Sequence, residues 1–365
     1  MTRAAAPIVV FAGLLGACGE PGPKPDTAAA SCEVVPPETA WGAAPSGYRV
    51  LDAPVDAPWL AEARTVPVGV WYPTADDAGD AALYIDTFPD PDSWVDAAFA
   101  DPAPGCTLPL VVYSHGSQAW GGNTSPILRQ LVRQGWVAAA PDHVGNTLAD
   151  NVDPRPVSYS RTRVADIVAT LDALAALPEG DPLHGRIDTS RVLVLGHSFG
   201  GQTAWLLAGP TFDTAAIDAR CDAGPPGCSD AERAAYDAPA TDPRVVAVMP
   251  LDGFANTDLV ATDGWATADR PILYLSQAGD DTAFQTAAAA DVTWGSFEGS
   301  CHETFTNSPV SCSTFDKQEG IEATATFLTA FAATEVLERD DAAYTGILDG
   351  STVVDSRVTL QRTGE

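Results

Sequence analysis

The chain reads as an α/β protein with one mostly parallel central sheet and helices on both faces. Three observations predict this. Its 365 residues are 45% hydrophobic and 19% charged, enough for one large domain with a sizeable core. Several apolar, β-rich runs are hydrophobic almost throughout, the pattern of strands buried on both faces. Segments with helical spacing alternate with those runs, which is how a parallel sheet is built. One domain over 46–365 accounts for all of it, with right-handed crossovers.

The elements follow in order. Residues 1–17 read as a signal peptide. Arg3 precedes an apolar run from Pro7 to Leu15 that is too short to span a bilayer. The run ends Leu15-Gly16-Ala17-Cys18, which resembles a bacterial lipobox, with Cys18 as the lipidated residue. Residues 18–45 are rich in Pro, Gly, Ala and Thr and read as a flexible tether. An extended pair is expected around 48–52 and 64–72. Core strands are expected at 108–115, 136–143, 191–198, 244–252, 270–277 and 292–299. Helices are expected at 125–134, which stops at Gly135, and at 160–177, 199–209 and 319–338. Residues 211–241 break the rhythm. They are polar, rich in Asp and Pro, and read as an inserted surface loop. A lid, a pocket wall or plain surface decoration would all fit.

Charge and cysteines bound the partners and the compartment. The net charge of -30 excludes nucleic acid and anionic membrane surfaces as partners, since those need basic patches. Lys24 and Lys317 are the only lysines, a surface suited to salty surroundings or to an ordinary acidic exoprotein. Seven cysteines are an odd number for an exported chain. Setting Cys18 aside leaves Cys32, Cys106, Cys221, Cys228, Cys301 and Cys312, an even set that suggests disulfides. Short spacings favour Cys221–Cys228 and Cys301–Cys312, which leaves Cys32–Cys106. No CxxC spacing occurs and the histidines are scattered, so no metal site is expected. The expected location is the bacterial envelope through a lipid on Cys18, or the medium if Cys18 is unmodified.

The chemistry centres on Gly196-His197-Ser198-Phe199-Gly200, a G-x-S-x-G at a strand-to-helix junction. A sharp turn there exposes the serine Oγ, and the glycines let the chains pass closely. Ser198 is therefore the candidate nucleophile and needs a base. Of the five histidines, His115, His143, His184, His197 and His302, only His302 follows the serine, as the order serine–acid–histidine requires. His197 sits inside the turn with its side chain expected to point away from Oγ. His143 and His184 read as structural or surface residues. The acid stays open at this point. Asp252 ends one strand in VMPLDG, while Asp280 and Asp281 end the next in SQAGDD. Two backbone N–H groups should hold the oxyanion: that of Phe199, and that of Ser117 in the loop Tyr113-Ser114-His115-Gly116-Ser117.

These pieces together resemble a family within the α/β-hydrolase fold, the plasma-type platelet-activating-factor acetylhydrolases and the predicted dienelactone hydrolases of bacteria. The matching segments are RTVPVGVWYP, LPLVVYSHGS, GWVAAAPDH, RTRVADIVATLDAL, VLVLGHSFGG, DPRVVAVMPLDG and GSCHETF, in order across about 46–338. The resemblance implies Asp252 as the acid and Ser117 and Phe199 as the oxyanion donors. It implies no cofactor, and a small-molecule ester or lipid as substrate, such as a short-acyl ester or a short-chain phospholipid. The insertion and the cysteine beside His302 depart from the family and put a phospholipid substrate in doubt. Two rivals remain: a secreted esterase of the cutinase or polyester-hydrolase kind, and an inactive hydrolase fold acting as a surface binding protein. The intact serine, histidine and acid set argues against the second.

Overall fold

A computed structural model describes residues 45–101, 105–224, 227–255, 258–310, 312 and 314–364. The expected signal peptide, Cys18, Cys32 and nearly all of the tether lie outside the described residues. Among the described residues eleven strands form a single sheet. In chain order they are β1 (Ser46–Val55), β2 (Arg64–Tyr72), β3 (Ala81–Tyr84), β4 (Phe88–Val95), β5 (Leu108–Ser114), β6 (Val137–Pro141), β7 (Ile187–His197), β8 (Val245–Leu251), β9 (Ile272–Gln277), β10 (Val292–Phe297) and β11 (Val358–Arg362). The helices are α1 (Ser125–Val132), α2 (Tyr159–Ala175), α3 (Phe199–Leu207), α4 (Thr214–Ala223), α5 (Asp230–Ala234), α6 (Thr282–Thr286), α7 (Lys317–Glu335) and α8 (Ala342–Leu348).

Across the sheet the order is β11-β10-β9-β8-β7-β5-β6-β2-β1-β4-β3. The six strands from β10 to β6 in that order are mutually parallel. β2 joins β6 antiparallel, β1 joins β2 antiparallel, and β11 closes the far edge antiparallel. Every residue of β5 and of β6 is buried. Alternate side chains of one strand feed opposite faces. In β7, Val192 and Val194 join Val164, Ile167 and Leu171 of α2 in one core. Leu193 and Leu195 join Ile127 of α1 and Phe327 and Leu328 of α7 in the other. Helices thus cover both faces, as the alternation of runs predicts.

The expected strands and helices are present with ends moved by a few residues. β3, β4, β11, α6 and α8 are additional to those expected. β4 carries Pro89 and Pro91, and β3 forms the outermost strand. Prolines lower strand propensity and belong near sheet edges, and both precede Ser93–Val95, which pair with β1.

The segment 211–241, expected as a loop, instead carries α4 and α5. Its polar residues start helices rather than break them. Asp213 caps α4 by accepting from the Ala216 amide, and Ser229 and Glu232 form a capping box on α5. Two disulfides, Cys221–Cys228 and Cys301–Cys312, join the pairs their short spacing suggests. Such bonds belong to an oxidising compartment outside the cytoplasm. No helix among the described residues is long and apolar enough to cross a membrane.

Candidate active site

Ser198 stands between β7 and α3 at φ +56°, ψ −116°, a conformation that a serine adopts only under constraint. The constraint is visible on each side. The Ser198 amide donates to the Leu251 carbonyl of β8 at 2.9 Å. A Cβ on Gly200 would fall 1.8 Å from the Ser114 carbonyl oxygen, and one on Gly196 would fall 2.2 Å from that of Gly200. Only glycine lets β5, β7 and α3 meet so closely. The turn leaves Ser198 half-buried at the C-terminal end of the parallel strands.

Asp252 follows β8 directly and takes φ +44°. Its amide donates to the Leu275 carbonyl at 2.7 Å, and its Oδ1 accepts from the Gln277 amide at 3.0 Å. The carboxylate is buried, and Oδ2 meets His302 Nδ1 at 2.5 Å. This bond raises the imidazole pKa above its ordinary value, while burial works against it. Asp280 and Asp281 stand beyond β9, with Asp281 at the start of α6, and neither takes this place. Of the open alternatives, Asp252 is thus the carboxylate paired with His302.

His302 opens a short turn, His302–Phe305, after β10. Several groups brace it. The Cys301–Cys312 disulfide precedes it immediately. Lys317 Nζ donates to the Glu303 and Thr306 carbonyls, and Thr124 Oγ1 donates to the Phe305 carbonyl at 2.9 Å. His197 adds a contact that the sequence reading missed. Its imidazole is expected to point away from Ser198 Oγ; its Nε2 donates to the His302 carbonyl at 2.8 Å and the two rings lie 4.4 Å apart. Burial, and then the neighbouring His302, push the His197 pKa down, so it stays neutral. The G-x-S-x-G pattern fixes the backbone turn but says nothing about where the x side chain goes.

Ser117 and Phe199 flank Ser198, and all three line one cleft. Phe199 is the first residue of α3, where a helix leaves its amides without internal partners. The Ser117 hydroxyl accepts from Arg155 Nη2 at 2.7 Å and from Asn146 Nδ2 at 3.3 Å. Beneath both lies Arg163, fully buried. It donates to the His115 carbonyl, to Ser114 Oγ at 3.1 Å, to Asn146 Oδ1 at 2.8 Å and to Thr203 Oγ1 at 3.1 Å. Its guanidinium carbon lies 4.7 Å from the Phe199 ring centroid. One cation therefore ties the Ser114–Ser117 loop to the start of α3. Arg163 and Asp166 were read only as part of a helix, because charged residues at helical spacing look like a solvated face.

Two clefts open on Ser198. One, of about 330 Å³, runs past His302 to Phe88 and Trp120, whose rings stack at 4.0 Å, and to Glu303 and Leu148. The other, of about 270 Å³, runs past Phe199 to Arg155, Gln202, Arg220 and Phe254. Arg220 belongs to α4, so the inserted segment supplies a cleft wall.

No protein-family model matches the chain, and no curated protein matches it. Among solved structures, it is similar to a ferulic acid esterase from Streptomyces cinnamoneus. The two share 21% identity and a TM-score of 0.60, and the match covers 91% of this chain and 100% of that one. At this identity the likeness establishes the α/β-hydrolase fold.

Proposed function

We propose that this protein is a serine carboxylic-ester hydrolase working by acyl transfer. The observation that carries the reading is the meeting at one cleft of Ser198, in its positive-φ turn, and His302, held by Asp252 at 2.5 Å. Ser198 Oγ attacks the ester carbonyl while His302 takes its proton. Asp252 keeps the proton on Nδ1 and stabilises the imidazolium. The Ser117 and Phe199 amides hold the oxyanion, and the dipole of α3 favours the same charge. His302 returns the proton to the leaving alcohol, and water then releases the acyl group by the same route. The chemistry needs no cofactor.

The likeness to a ferulic acid esterase supports an ester as substrate. The resemblance to platelet-activating-factor acetylhydrolases suggests short-acyl esters or short-chain phospholipid-like ones, and clefts of about 270 and 330 Å³ suit short groups. A polyester-hydrolase reading draws on the Cys301–Cys312 disulfide bracing the histidine turn.

A short chromogenic ester tests the activity. Ser198→Ala should lower kcat by ~10⁴ to 10⁶ with the fold intact by circular dichroism. A phosphonate should add its mass to the Ser198 peptide of the native protein. Near-native turnover by the variant, with no adduct, overturns Ser198 as the nucleophile, whereas no turnover and no adduct in the native protein favours a surface binding protein. Anchoring through a lipid on Cys18 is part of the same proposal, motivated by the LGAC sequence. Mass spectrometry of the mature N-terminus should find an acylated cysteine; an unmodified terminus elsewhere means secretion.

A further inference from the structure

We propose that the cleft between Arg155 and Arg220 binds an anionic group of the substrate, so that the preferred esters carry a carboxylate near the scissile bond. The inference rests on the ester-hydrolase reading and names the substrate class for that site.

Ser198 and Phe199 line this cleft. Its polar lining offers hydrogen-bond donors. Arg155 donates to Ser117 Oγ at 2.7 Å and to Asn151 Oδ1 at 3.2 Å, both through Nη2, while its Nε is buried without a partner among the described residues. The Arg155 guanidinium carbon lies 5.3 Å from the Phe199 ring centroid, which holds the flat group in place. Gln202 is 1% exposed. Its Oε1 accepts from Ser160 Oγ at 3.5 Å, and its Nε2 has no partner among the described residues. A buried donor without a partner is costly unless a ligand accepts from it. Arg220 closes the far side from α4, and its contact with Asp258, at 3.5 Å, is exposed. An exposed pair of this kind contributes little and yields readily to a better-placed anion.

Among the described residues no aspartate or glutamate lines this cleft, in a chain with 49 acidic residues against 19 Lys and Arg. A net charge of -30 disfavours anions overall, so two guanidinium groups beside the nucleophile discriminate locally. The planar fork of arginine matches a carboxylate. The cleft on the other side of Ser198 has the opposite character. It holds Glu303 and the stacked Phe88 and Trp120 rings, with no Lys or Arg among the described residues of its lining. An ester with one anionic and one apolar arm therefore has one favourable way to lie across Ser198. The inserted segment gains a role from this, because the disulfide-clipped helix α4 carries Arg220.

Two pairs of esters test the assignment. p-Nitrophenyl monosuccinate against p-nitrophenyl valerate places the carboxylate on the acyl side. 4-Acetoxybenzoate against 4-acetoxybenzamide places it on the alcohol side. In at least one pair the native protein should prefer the anionic ester by about tenfold or more in kcat/KM, the range of a charge-assisted hydrogen bond. Arg155→Gln and Arg220→Gln should each cut that ratio several-fold, chiefly through KM, and added salt should compress it. Arg220 lies on an exposed helix, so its variant keeps the test open even if Arg155→Gln disturbs Ser117. Preference for the neutral ester in both pairs, or ratios that neither substitution moves, overturns the anionic subsite and leaves the esterase reading standing. Failure of the native protein to cleave any of the four esters overturns the esterase reading itself, and this inference with it.

Discussion

Ser114, His143 and Asp166 repeat the residue types of Ser198, His302 and Asp252 in opposite surroundings. Ser114 Oγ lies 2.9 Å from His143 Nε2, and His143 Nδ1 lies 2.8 Å from Asp166 Oδ2. All three are fully buried. Ser114 is the last residue of the extended strand β5, whereas Ser198 stands in a positive-φ turn at a cleft. Asp252 raises the pKa of His302. Burial, followed by the charges of Arg163 and Arg64, pushes the pKa of His143 far down. The partners of the acids differ too. Asp166 faces Arg64 at 2.5 Å and 2.7 Å, while Asp252 accepts from the Gln277 amide and side chain. A serine, a histidine and an aspartate in hydrogen-bond sequence are thus not enough for a base. The histidine must be able to gain a proton, and the serine must reach substrate. The inner set fails both conditions. It joins Arg163 to the Ser114–Ser117 loop, which makes it part of the support for the proposed oxyanion donors.

Paired substitutions of the two aspartates can break this contrast. Asp252→Asn should cost roughly 10⁴ in kcat, because the imidazole loses its tautomer and its counter-charge. Its stability should change little by comparison. Asp166→Asn leaves the Arg64 guanidinium without its buried carboxylate partner. Removing one partner of such a set typically costs about 3–5 kcal/mol of stability. Among molecules that remain folded, kcat should fall by no more than about tenfold, since the inner set acts only through the loop it holds. Urea unfolding and active-site-titrated kinetics read both quantities. A kcat loss for Asp166→Asn as deep as that for Asp252→Asn would show that the inner set takes part in the reaction.

The two sets were not equally legible. Ser198 and His302 could be picked out because a strand–turn–helix junction and the serine–acid–histidine order leave one candidate each. The acid was ambiguous, since aspartates end many strands, and only the resemblance favoured Asp252 over Asp280 and Asp281. The bond to His302 depends on the turn at φ +44°, which no spacing rule contains. The inner set was invisible. Arg163 and Asp166 lie three apart on α2, a pattern that normally faces water, and their burial follows from tertiary packing alone. The sheet could be read from its apolar runs, because burial on both faces leaves a continuous signal. The helices of 211–241 were missed although Ser229-x-x-Glu232 carries a capping signature. The proline and aspartate content of the segment points to a loop instead.

The smallest expected effect is a displacement along the pH axis. His302 must be neutral to take the Ser198 proton, so kcat/KM should fall on the acid side as the imidazole gains a proton. The bond to Asp252 raises that pKa above the ordinary histidine value of 6.5, and burial only partly offsets it. The acid limb should therefore have its midpoint above 6.5, with full activity above the raised pKa and loss as pH falls through it. Asp252→Asn removes the raising bond and leaves burial, so the midpoint should move to lower pH. Stability runs the other way. A histidine with a raised pKa stabilises the folded state fully below 6.5 and ceases to do so as pH rises through the folded value. The His302 side chain is 43% exposed, so solvent screening keeps that contribution small. His143, pushed far down by burial, should not titrate across the same range. Imidazole resonances of the Ser198→Ala protein, followed by NMR from pH 5 to pH 9, separate the two rings directly. A His302 midpoint at or below 6.5 that Asp252→Asn leaves unmoved would remove the distinction between the outer and inner histidines.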